Sequence, residues 1–124
     1  MNFNQIVRYS LEYLNQSRYY HWQTESYAHH EALGEFYNSF SESVDKMVEA
    51  MAGRTGVKIS IDQGKVELVD YNGAPEVIES LEALRTRYEE FKQSIIDLGY
   101  IDIEDIIDDI VHSINELLFH MRLK

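Results

Sequence analysis

Four runs of apolar residues recur at three- and four-residue spacing, separated by glycine, proline and polar breaks, so the chain must bury four helical stripes against one another. In the first run, from Asn4 to about Gln23, Val7, Leu14 and His21 fall at seven-residue intervals, and Phe3, Ile6, Leu11 and Tyr13 widen the face. The second, from about Ala28 to Ala52, carries Leu33, Phe36, Phe40, Val44, Met47 and Met51, with Gly53 and Gly56 as stop signals. Pro75 suits the first turn of the third, whose Ile78, Leu81, Leu84, Tyr88, Phe91, Ile95 and Leu98 run to Gly99. Asp102 is expected to cap the fourth, which continues through Ile103, Ile106, Ile110, Ile114, Leu117 and Met121.

Between the second and third helices the period changes. Val57, Ile59 and Ile61 alternate with polar residues, Asp62 to Gly64 reads as a turn, and Val66 and Leu68 resume the alternation. Residues 57–71 therefore predict a small β-hairpin or an extended crossover. Short first and last connections around one long middle connection predict an all-α, ferritin-like four-helix bundle. In it the long middle connection returns the chain along the bundle and makes the second and third helices parallel. An up-down bundle with a protruding hairpin is the other arrangement the pattern admits. At 124 residues the chain is expected to form one domain, 1–124.

Composition narrows the partners. No apolar run approaches the roughly 20 residues of a membrane span. The stretch MNFNQIVRYS has no basic start followed by an apolar block, and cysteine is absent, so a cytoplasmic location without disulfides is expected. Twenty-two acidic against eleven basic side chains give a formal charge of −11, which repels phosphate backbones and favours cations. Direct DNA binding is not expected. No Gly-rich phosphate loop, serine-histidine-acid arrangement or GxSxG element supports a nucleotide enzyme or hydrolase.

The stretch YHWQTESYAHHEALGEF concentrates histidines and carboxylates around the first connection. His21 ends the first helix on its core side, and a short connection brings it beside His30. Asp45 and Glu49 lie four apart, off the apolar stripe, where two carboxylates can hold a hard cation. His30 and Asp45 are fifteen residues apart, roughly 22 Å along a helix. They cannot share an ion within one chain. Two copies of the second helix packed antiparallel across a twofold axis would bring His30 of one subunit to the carboxylates of the other. Two imidazoles and two carboxylates suit Fe(II), and also accept Zn(II) or Mn(II). His29 is a solvated neighbour able to take the place of His30. Asp109, Glu116 and His120 flank the fourth helix, with Asp109 and Glu116 about 100° or more from its apolar stripe, which argues against a di-iron centre inside the bundle.

These residues resemble the Dps family of small ferritin-like, iron-oxidising and DNA-protecting proteins. Its pattern has a His-Trp pair ending the first helix, a second His near the start of the next, and an acidic pair fifteen and nineteen residues beyond. His21-Trp22, His30, Asp45 and Glu49 match it. Two departures stand out: the two histidines are nine residues apart, closer than in the family, and Gly34 replaces its Asp, leaving Glu31 or Glu35 to substitute. The resemblance implies a Dps-like iron site shared by two subunits, with ferroxidase activity and Trp22 in support. It also implies a homo-oligomer of at least a twofold dimer, extending to a dodecameric shell. The family's lysine-rich DNA-binding extension has no counterpart here. The competing expectation is a noncatalytic helical oligomer that has lost efficient iron chemistry.

Overall fold

The computed structural model describes residues 1–61 and 64–123. Four helices form: α1 (Phe3–Gln23), α2 (Tyr27–Thr55), α3 (Ala74–Leu98) and α4 (Ile101–Arg122). Asn2 and Gln5 open α1 with reciprocal 2.9 Å bonds between side chain and backbone, which satisfy two amides that a helix start leaves free. The Ser26 hydroxyl accepts from the His29 N–H to start α2. Gly56 and Gly99, with φ of 68° and 75°, end α2 and α3 in the left-handed conformation that other residues rarely adopt.

Asp102 is not the cap of α4. Gly99 turns the chain so tightly that Tyr100 occupies the cap position, without a side-chain cap bond. Asp102 lies in the first turn instead, where its carboxylate accepts from Arg54 at 3.2 Å. Gly53, read as a stop, lies inside α2.

The helices pack into one bundle: α2 against α1 and α4, α3 against α4, and α1 more lightly against α3. Ile6, Tyr13 and Tyr20, Leu33, Phe40 and Met47, Leu81, Tyr88 and Ile95, and Ile107, Ile110 and Ile114 are all buried in a common core. In α3 Val77 is fully buried and Ile78 only partly, and in α4 Ile107 is more buried than Ile106. Leu11 stays exposed, and the inner stripe of α1 uses Ser10 and Ser17. Ser10 donates its proton to the Ile6 carbonyl at 2.6 Å, so its oxygen accepts from the Tyr88 hydroxyl. Burial pushes the Tyr88 phenol far above its ordinary value and keeps it a neutral donor.

The segment between α2 and α3 corrects the hairpin expectation. Among the described residues it contains no strand, and residues 62 and 63 of the expected turn lie outside them. Its backbone pairs with side chains of α1. The Ser60 N–H donates to Asn4, and the Tyr71 N–H to Gln23. The buried Gln16 amide takes the Val69 N–H at 2.8 Å and gives to the Val69 carbonyl at 2.9 Å. One side-chain amide thus makes the bond pair that a neighbouring strand would make. Gln23 and Tyr19 donate to Asp70, in that order holding its carboxyl below the ordinary range. Replacing Gln16 by alanine is expected to cost about 1–3 kcal/mol. Hydrogen exchange should then quicken at Val69 and Tyr71 while amides inside the four helices keep their protection.

Candidate metal centre

The α1–α2 connection is three residues long, between Gln23 and Tyr27, so the end of α1 and the start of α2 meet. His21 and His30 lock across this corner. The His21 Nδ1 lies 2.7 Å from the His30 carbonyl, and the His30 Nδ1 lies 2.7 Å from the His21 carbonyl. A carbonyl only accepts, so each Nδ1 carries the proton and each Nε2 is left with its lone pair in the neutral ring. The rings stack with centroids 3.8 Å apart and planes 13° apart. An imidazole lone pair lies in its ring plane, so two nearly parallel rings do not converge on one ion as they stand.

Gly34 borders the same corner. A β-carbon built there would come within 2.9 Å of His21 Cε1. Arg18 stacks over Tyr37 at 4.1 Å and fastens α1 to α2 nearby. Trp22 is 67% exposed and points to solvent, as does Tyr27.

The carboxylates sit elsewhere on α2. Asp45 and Glu49 border a surface cleft of about 290 Å³ floored by Val7, Leu11, Leu14, Val44, Val48 and Ile59. Because α2 is one continuous helix, Asp45 stands roughly 22 Å along the axis from His30. The structure therefore brings His21 and His30 together and keeps Asp45 and Glu49 apart from them. Among the described residues of one chain, no group of three or more histidine and acidic side chains is placed to hold a metal ion.

The remaining candidates separate. Glu31 is exposed, and Glu35 faces a groove between α2 and α4 together with Glu116 and His120. Glu116 also lies 3.5 Å from His112. His29, expected as a solvated neighbour, instead has its Nδ1 buried and without a hydrogen-bond partner among the described residues, outside the His21–His30 stack.

A family model described only as a family of unknown function, DUF5856, matches residues 21–121. The chain belongs to DUF5856. No protein of curated function and no solved structure matches it. The stretch shared with DUF5856 begins at His21 and ends at Met121, so it takes in both histidines, Gly34 and both carboxylates. Within the described residues, no helix is long and apolar enough to cross a membrane.

Reading the sequence missed two contributors to this region of the DUF5856 chain. Gly34 stood out there only as a missing carboxylate, because its contact with a residue thirteen positions earlier depends on how two helices pack. Leu11 was assigned to the core; its place in the cleft beside Asp45 follows from α1 turning its serines inward. The two serines on the inner stripe were the available signal.

Proposed function

We propose that this protein is a ferritin-like iron-binding protein whose site is shared by two subunits across the α1–α2 face, and that it oxidises and stores or detoxifies Fe(II). The observation that carries the reading is the reciprocal lock of His21 and His30. Histidines that ligate metals usually donate the other ring N–H to a backbone carbonyl or carboxylate, which fixes the tautomer and frees the ligating nitrogen. Here both rings do so. Asp45 and Glu49 supply the hard donors from the partner subunit, and the mixed nitrogen and oxygen set suits Fe(II), with zinc or manganese as competitors.

The twofold arrangement is supported by what α1 and α2 leave uncovered. Leu11 and Trp22 are eleven residues apart, about 20° from each other around a helix, and both are exposed. Tyr27 lies on the same side of α2 as Asp45, eighteen residues on. Ile59 extends the apolar floor between the two helices. A face of exposed aromatic and aliphatic side chains matches the enrichment found at interfaces. The ferritin-like connectivity, with the segment from Gly56 to Gly73 as its long crossover, draws support from that segment's bonds to Asn4, Gln16 and Gln23.

Anaerobic Fe(II) titration of the wild type should saturate, and addition of oxygen or peroxide should raise the ferric absorbance. His21→Ala combined with Glu49→Ala should abolish saturable binding; unchanged binding would overturn this site. The second reading, a helical oligomer without iron chemistry, is favoured by the parallel stack, which does not converge on one ion. A wild type that dimerises but takes up no iron would establish it. Solution mass then separates a dimer from a dodecameric shell.

A further inference from the structure

We propose that Gly34 is the positioning residue for His21: the absent side chain at position 34 leaves a notch in α2 that seats the imidazole edge. A β-carbon there would lie 2.9 Å from Cε1, 3.3 Å from Nδ1 and 3.7 Å from Nε2 of His21. The ring cannot simply withdraw. Its Nδ1–H is bonded to the His30 carbonyl at 2.7 Å, its face lies against the His30 ring, and its backbone belongs to the last turn of α1. To clear an added methyl group, the ring must give up that bond or the helix end must move away from α2.

Glycine in a helix interior is disfavoured relative to alanine, because it gives up more backbone freedom on folding. At position 34 this penalty is accepted inside a 29-residue helix, past its first two turns. Gly53 supplies the contrast within the same helix: a β-carbon there would have nothing within 4 Å. Two glycines of one helix should therefore respond oppositely to the same substitution.

The seat also bears on chemistry, a consequence that rests on the iron reading above. With the ring edge in the notch and Nδ1 committed, Nε2 is held in one orientation before any ion arrives, and the entropy of fixing the ring is not charged against binding. A β-carbon at 34 would press on Cε1 and Nδ1, at 2.9 and 3.3 Å, and so shift the ring that carries Nε2.

The test is a double-mutant cycle read by thermal unfolding. Gly53→Ala should raise the midpoint in both the wild-type and His21→Ala backgrounds. Gly34→Ala should lower it by several degrees in the wild type and raise it in His21→Ala, where the clashing ring is gone. Nitrogen-15 NMR of the imidazoles gives a readout that loss of stability alone would not move. In the wild type both histidines should show the Nδ1–H tautomer; in Gly34→Ala, His21 should lose it while His30 keeps its bond to the His21 carbonyl. Zinc ion, a redox-silent probe, should bind Gly34→Ala 10–100-fold more weakly, the usual loss when a ligand's support is removed. A Gly34→Ala effect of one sign in both backgrounds, with the His21 tautomer unchanged, overturns the seat whatever the metal result. A sign reversal in a protein that binds neither zinc nor iron upholds the seat and overturns the metal reading instead.

Discussion

On the shared-site proposal, mixing a His21→Ala protein with an Asp45→Ala/Glu49→Ala protein is expected to recover about one quarter of the Fe(II) binding of the wild type, with no binding expected of either variant alone. Random pairing of equal amounts through a twofold interface makes about half of the dimers mixed. In a mixed dimer one site combines both defects, and the other takes its histidines and its carboxylates from the two unaltered sources. Half of one half gives the quarter. The expectation follows from one distance: α2 separates His30 from Asp45 by roughly 22 Å, so no single chain supplies both donor types to one ion. Subunits would be exchanged by unfolding and refolding the mixture together, and sites counted by anaerobic titration. A mixture that binds no more than its components would show that the two donor types do not meet across the interface.

The largest effect on stability is expected at Phe40. Its ring is fully buried and lies 5.0 Å from Phe36, 6.0 Å from Tyr88 and 6.4 Å from Tyr13, so one side chain joins α1, α2 and α3. Phe40→Ala removes that ring and leaves a cavity that three helices cannot close, at a cost of about 3–5 kcal/mol. Against a total stability of about 5–15 kcal/mol for a domain, the midpoint should fall by roughly 10–20 °C. Tyr88→Phe is the informative contrast. It keeps the ring and removes only the hydroxyl that donates to Ser10, while Ser10 keeps its own bond to Ile6, so the cost should be about 1 kcal/mol. Urea unfolding of both variants, with unchanged slope, tests the ordering; equal losses would mean that the aromatic cluster is not what joins the three helices.

The four helices were legible because each repeats an apolar face over five or more turns, and glycine at 56 and 99 marks true ends. The closeness of His21 and His30 was legible for a similar reason: so short a connection leaves the ends of two antiparallel helices nowhere else to go. The alternation of Val57, Ile59 and Ile61 misled, since a period of two says only that a segment is extended with one side covered. Here Val57 and Ile59 stay exposed, and among the described residues the segment's amides pair with Asn4, Gln16 and Gln23 of α1 in place of a second strand. Asp102 misled because an acidic residue near a helix start serves equally as a cap or as a first-turn charge, and the tight turn at Gly99, which puts Tyr100 at the cap, decides between them. Gly34 was visible as a departure from a pattern; that a ring fills its space is a property of the packed corner and of no local stretch of sequence.

The glutamine clasp at Val69 has a consequence for how the chain tolerates change in length. Between Gly64 and Val69 the connection is held against α1, and the Gln16 pair fixes its far end at Val69. Doubling a flexible loop costs only about 0.6 kcal/mol of closure entropy. Insertions between Gly64 and Val69 should therefore change the outline of this side of the molecule while leaving the histidine corner and the carboxylate cleft, with Ile59 in its floor, in place, which makes this stretch a natural point for grafting a tag or a second domain.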